Sequence, residues 1–382
     1  MRIEKRKTLK KQEKTMSPRE IHQAYKTARE RYAELGIDTE LALEQLNNYA
    51  VSLDAIPGYE ALSTDSLQHD DEALRNDFMQ ARRQLPGEIR LTLHAVACDD
   101  NRYDEWMEWS RKENVSLDLH VATGSSREVL TLSSANMTIR KHWVEQIGRF
   151  REKANELGEN QKKPCIMTLE IDDRLGQPPL NLVVHRQMLE MSLSELLDKR
   201  YCWMRDCLIP PQTDAASTAF VASREQLMAY AQQYKVMLGL KADDSNFTLS
   251  AMTDTIASLS YEVPELMLSL PNPCSLPSRS TSQMQGDGDD LFRQILCSGR
   301  NYRTHYSLCY RPCPTGRVGA FVIGVRTVQK CMLRVLLEPI QRMQDYELNG
   351  FEYEKNLLLE NCKSLPWASV YDEYCLRSNI VG

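Results

Sequence analysis

VSLDLHVA (115–122) and PCIMTLEI (164–171) are short runs of β-branched and apolar residues. Between them, MTIRKHWVEQIGRFREKANELG (137–158) repeats its apolar residues at helical intervals. A strand, a helix and a second strand in that order make a parallel βαβ unit. Working outward, the same alternation recurs. YAVSLDA (49–55) and IRLTLHAV (89–96) precede the unit, and YCWMRDCLI (201–209), YKVMLGLKA (234–242), ELMLSLP (265–271) and YRTHYSLCY (302–310) follow it. DDEALRNDFMQARRQL (70–85) is another intervening helical stretch. Eight such strands in a chain of 382 residues predict an α/β fold, a (β/α)8 TIM barrel, rather than an open sheet.

The ends of the chain add helices outside the eight units. SPREIHQAYKTARERYAELG (17–36) opens with Ser17 as N-cap, Pro18 at the first helical position and Glu20 completing a capping box; Gly36 is its stop. A helical tail runs from residue 317. The expected organisation is a basic arm (1–16), a barrel with its leading helix (17–316) and a helical appendage (317–382), packed on the barrel or on a neighbouring subunit. The stretch LPNPCSLPSRSTSQMQGDGDD (270–290) reads as a loop after strand seven, with GDGDD as a turn ending in an Asp cap.

Bulk properties narrow the class. The chain is 42% hydrophobic and no apolar run approaches the roughly 18 residues of a membrane span, so no membrane partner is expected. Seven Lys/Arg against two Glu make residues 1–16 carry +5, which leaves −11 on the rest of a chain whose net charge is −6. An acidic body gives no support to nucleic-acid binding. The charged start and eleven cysteines in no framework-like spacing point to reduced thiols in the cytoplasm.

Barrel chemistry sits at the carboxyl ends of the strands. In order these are expected at Asp54, His94, His120, Glu170 with Asp172 and Asp173, Arg205 with Asp206, Ala242 with Asp243, Ser269 and Cys309. Asp54, His94, Glu170, Asp172 and Asp173 form the candidate pocket. A divalent-metal site needs three or four carboxylates or imidazoles from different strands, and strands six to eight offer a poor set. His94 within an apolar strand also suits a hydrogen-bonded core residue, and the acids of IDD also suit turn chemistry. NYRTHYSLCYRPCP (301–314) holds the densest group of potential metal ligands, His305, Cys309 and Cys313. As a strand it puts His305 and Cys309 on one face but about 13 Å apart, too far to share an ion. Pro312 and Pro314 oppose the helix that would bring them together. There is no phosphate-cradling glycine loop, GxSxG elbow or CxxC pair.

Five segments resemble one family along nearly the whole chain: AYKTARERYAELGIDTELALEQLNNYAVSL (24–53), LPGEIRLTLHAV (85–96), LTLSSANMTIRKHWVEQ (130–146), FVIGVRTVQKCMLRVLLEP (321–339) and KSLPWASVYDEYC (363–375). They are similar to bacterial L-rhamnose isomerase. The resemblance implies a (β/α)8 barrel, typically tetrameric, that interconverts an aldose and a ketose with two divalent metal ions such as Mn²⁺. It also implies where the ligands belong. The structural metal's Glu, Asp, His and Asp on strands five to eight fall near Arg205 and on Ala242, Ser269 and Cys309. The second metal's His falls on Ser245 and its two Asp on Pro277 and Arg279. None of the seven positions keeps its ligand. Asp54 stands where the family has a substrate-facing His, and His94 matches a family histidine in LHA.

The resulting expectation is a catalytically silent member of the family with no cofactor of its own, acting as an assembly or regulatory partner of an active isomerase or of another copy of itself. Two other readings stay open. One is an isomerase with a rebuilt site using Glu170, Asp172 and Asp173 with His94, or His305, Cys309 and Cys313. The other is a sensor that binds a sugar or sugar acid without turnover, with Arg205, Arg279 and His94 suiting an anion.

Overall fold

The computed structural model describes residues 16–54, 71–95, 100–123, 130–171, 173–175, 180–210, 219–242, 249–259, 263, 265–271, 281–299, 304–309 and 316–379. All eight expected strands are present. They are β1 (Val51–Asp54), β2 (Ile89–His94), β3 (Leu117–Thr123), β4 (Cys165–Ile171), β6 (Met204–Ile209), β8 (Met237–Lys241), β9 (Leu266–Pro271) and β10 (Thr304–Cys309). They close in the order β1-β10-β9-β8-β6-β4-β3-β2, with each pair parallel. Two more strands, β5 (Arg174–Leu175) and β7 (Ala219–Phe220), pair antiparallel outside the barrel.

Side chains alternate along each strand, so one set faces the barrel interior and the other lies under the helices. The outer set is largely apolar and includes Leu53, Leu91, Leu119, Leu208, Leu240 and Leu308, all fully buried. The interior is divided. Ile166, Cys207, Met237 and Met267 make an apolar cluster on the side of β4, β6, β8 and β9. Across from them, Ser52 hydrogen bonds Thr92 at 2.8 Å, and Arg90 grips both oxygens of Asp118 at 2.9 and 2.6 Å while also donating to the Pro164 carbonyl.

Helix α5 (Met137–Gln161) leans so closely on the approach to β6 that a Cβ on Gly158 would lie 1.8 Å from the Trp203 carbonyl oxygen. Its Arg151 reaches outward-facing Asp206 with two nitrogens at 2.8 Å each, and donates to the Leu196 and Lys199 carbonyls.

The stretch expected to be a loop is partly helical. Helix α9 (Thr281–Cys297) runs through GDGDD and packs on α10 (Gly316–Leu336). Gly288 faces Cys331, whose sulfur would be 3.1 Å from an added Cβ, and Asp289 accepts from Arg334 at 2.6 and 2.9 Å. Close packing and an ion pair to a distant helix override the local turn signal.

The chain divides into two compact units, residues up to Leu41 with Leu337 onward, and Ala42–Leu336. The leading helix α1 (Pro18–Glu34) thus groups with the C-terminal helices, and α10 with the barrel. In the first unit α1 has the expected capping box and packs on α13 (Trp367–Asn379) through a face that includes Tyr25, Ala28 and Tyr32. Gly36, the expected stop, has φ +77°. Helix α2 (Thr39–Asn47) crosses the boundary, while α11 (Ile340–Leu348) and α12 (Glu352–Lys363) complete the first unit. Among the described residues no helix is long and apolar enough to cross a membrane.

Candidate functional site

The carboxyl ends of the strands bring five ionisable side chains together inside the barrel. Asp54 ends β1 and His94 ends β2, and the His94 Nε2 hydrogen bonds the Asp54 carboxylate. His120, in register with His94 on β3, lies beside it with ring centroids 4.6 Å apart. The other nitrogen of His120, Nδ1, contacts the Thr168 hydroxyl at 2.8 Å, while its Nε2 is 3.4 Å from Glu170 Oε2. Glu170 in turn receives a hydrogen bond from Lys241 Nζ at 3.1 Å, and both side chains are about 10% exposed. Below this group a cavity of about 10 Å³, the size of one water, is lined in part by Asp54, His120 and Lys241.

The electrostatics are those of acids taken out of water and given cations. Burial alone would raise the pKa of Asp54, but His94, His120 and Lys241 outweigh it and hold the carboxyl below its ordinary value. Asp54 is therefore a carboxylate at neutral pH.

Several predicted residues lie elsewhere. Asp173 is buried, but it accepts from the backbone of Thr131 and Ser133 at 2.7 and 2.8 Å and from the Thr131 hydroxyl, and so fixes the segment before α5. Arg205 was expected near the barrel mouth. It is the second residue of β6, exposed, donating to the Met204 carbonyl, and the carboxyl end of that strand is Ile209. The apolar run from Tyr201 begins three residues before the strand does, which displaced the expected end. His305 and Cys309 stand near opposite ends of β10. His305 is 3.7 Å from Glu265, and Cys309 is in backbone register with Asp54. The structure therefore does not bring His305 and Cys309 together. Asp172, Asp243, Ser245, Pro277, Arg279 and Cys313 lie outside the described residues.

Ala242 and Ser269 are where the resemblance requires metal ligands. Ala242 follows the end of β8, with its amide bonded to the Ser269 carbonyl at 2.9 Å. Ser269 lines the cavity. A methyl and a hydroxyl replace a carboxylate and an imidazole, and the nearby Lys241 ammonium repels cations. The described part of the site therefore does not fit a divalent centre of the family's kind, and among the described residues no three His, Cys, Asp or Glu side chains form a ligand set. Lys241 is the residue that sequence reading passed over. Its signal was the alternation itself, because Met237, Gly239 and Lys241 share the inward face of β8, and Lys241 is in register with Ser269.

The comparisons agree with this architecture. The sequence profile of L-rhamnose isomerase (RhaA) matches residues 19–381. An L-rhamnose isomerase of Bacteroides thetaiotaomicron is 33% identical to this chain, over 94% of each. One from Cronobacter sakazakii is 29% identical over 94% of this chain and 93% of its own, and one from Yersinia pestis is 28% identical over 94% of each. With a closed eight-stranded barrel, flanking helices at both ends and matches of this length, the chain belongs to the L-rhamnose isomerase family.

Proposed function

We propose that this chain is a catalytically silent member of its family, acting in the cytoplasm as an assembly or regulatory partner of an active isomerase or of another copy of itself. The observation that carries the reading is the Lys241–Glu170 ion pair at the strand ends. Metal-assisted isomerisation needs divalent ions to hold sugar hydroxyls and polarise a carbonyl, and those ions need anionic or neutral ligands. Here the acid of β4 is paired with an ammonium, while Ala242 and Ser269 offer no replacement ligands.

A second observation bears on the partner role. The α11–α12 corner exposes Leu348 (85%), Phe351 (51%), Tyr353 (75%) and Leu357 (49%). Large apolar side chains left exposed along ten residues of chain suit a protein interface better than water.

The test is an aldose–ketose assay with L-rhamnose and added Mn²⁺, run beside metal analysis and native mass measurement of the purified protein. No turnover and an oligomeric mass, or co-purification with an active isomerase, are the expected results. Clear turnover refutes silence, and a lone monomer refutes the partner role.

A further inference from the structure

We propose that Lys241 is a covalently tethered cation, whose ammonium takes the charge that a bound metal ion would supply and so makes this barrel mouth independent of metal. The proposal concerns the same site as the silent-enzyme reading, and deepens it by saying what replaced the ion.

Asp54 comes from β1 and Glu170 from β4, and both are within the barrel, 5% and 9% exposed. Two carboxylates out of water need positive charge nearby or must stay protonated. The imidazoles of His94 and His120 reach them through Nε2, but an imidazole carries a net charge only when protonated. Lys241 brings a full one. Its Nζ is 3.1 Å from Glu170, and its field is among those that hold Asp54 ionised.

The surrounding residues are sized for such a side chain. Gly239 precedes Lys241 on the same face of β8, and a Cβ there would come within 2.7 Å of the Ile209 side chain. Ser269 is in register with Lys241, and Ser307 is in register with Ser269. Small residues on two neighbouring strands leave the lysine stem room to reach across to Glu170. Contacts among β1, β2, β3, β4 and β8 thus bring the Lys241 ammonium into one network with both acids and both histidines. A compact ammonium with three donors can serve more than one acceptor, as an ion does, but it cannot leave.

The test replaces the charge and asks whether a free ion can restore what it did. Lys241→Met keeps the stem and removes the ammonium 3.1 Å from Glu170. Its thermal midpoint in chelator should fall below that of the wild type, and millimolar Mn²⁺ or Mg²⁺ should raise it by about 3 °C or more. The wild type and Lys241→Arg should melt at the same temperature with and without the ions. Adding Glu170→Gln to Lys241→Met removes one acid and should abolish the ion response. If Lys241→Met is too unstable to melt, Lys241→Gln takes its place under the same criterion. An ion response as large in the wild type as in the variant overturns the proposal, and so does a charge-removed variant that ignores the ions. Neither result touches catalytic silence, which only turnover by the wild type in the sugar assay refutes.

Discussion

Arg377 of α13 closes on Glu40 of α2 with both terminal nitrogens, Nη1 at 2.6 Å from Oε2 and Nη2 at 2.9 Å from Oε1. Tyr25 donates to the same carboxylate at 2.6 Å. The Arg377 hydrogen bond, aided by Tyr25, outweighs burial and lowers the Glu40 pKa to about 2. The folded carboxylate binds its proton more weakly than the unfolded one, so the pair stabilises the fold above about 4.5 and that contribution fades as pH falls toward 2. Because the Glu40 side chain is 44% exposed, solvent screens the pair. Glu40→Gln should cost about 0.5–1 kcal/mol at pH 7. Urea midpoints at pH 7 and pH 3.5 should show the gap from wild type narrowing at the lower pH.

The bonds of His94 and Asp54 give a second pH test with the same sign. Asp54 is held below its ordinary value chiefly by His94, against burial. Its contribution is present above the usual carboxylate range and is lost as pH falls. His94→Ala leaves the buried carboxylate short of a partner, and should cost about 1–3 kcal/mol at pH 7. Denaturant unfolding of variant and wild type at pH 4 should show a smaller difference.

Within the barrel, Arg90→Met strands Asp118, which is 2% exposed and would keep only its bond from the Ile166 amide among those described. Breaking a buried pair from one side costs about 3–5 kcal/mol. The double variant Arg90→Met with Asp118→Leu should be less destabilised than Arg90→Met alone. A double-mutant cycle of unfolding free energies checks this.

Two glycines of α5 should respond in opposite directions. Gly158→Ala drives a Cβ into the Trp203 carbonyl, which already accepts from the Cys165 amide at 2.9 Å, so the backbone itself must move. A loss of about 3 kcal/mol is expected. Gly148 has nothing within 4 Å of an added Cβ, and Gly148→Ala should stabilise the helix by about 0.5–1 kcal/mol. Thermal midpoints of the two variants, measured together, decide it.

At the α11–α12 corner, placing Asp at both Phe351 and Tyr353 puts charge where exposed apolar surface is proposed to meet a partner. The expected outcome is a smaller assembly in native mass spectrometry with an unchanged circular dichroism spectrum.

The barrel was legible because each strand is a dense apolar run set off by helical periodicity, a signal that averages over many residues. The site depended on single positions, where a shift of one residue changes which side chain faces inward. YKVMLGLKA drew attention to Ala242 and Asp243 as the strand end, while the inward residue is Lys241. YCWMRDCLI placed Arg205 at the wrong end of its strand, because Tyr201 to Trp203 precede the ladder. Asp173 is bound by a backbone turn 40 residues earlier, and Asp289 by an arginine 45 residues later. Pairings over such separations leave no local trace.

The pairing of α1 with α13 sets a schedule for synthesis. Glu40 and Arg377 are 337 residues apart, and the barrel is encoded between them. At about 5–20 residues per second, α1 waits roughly 15 to 70 seconds on the ribosome before its partner emerges. Throughout that interval α1, which buries Tyr25, Ala28 and Tyr32 in the folded chain, has no α13 to pack on. Helix α1 can dock on α13 only after the barrel between them has been made, so a nascent chain of this protein offers chaperones an apolar surface while that barrel is still being translated.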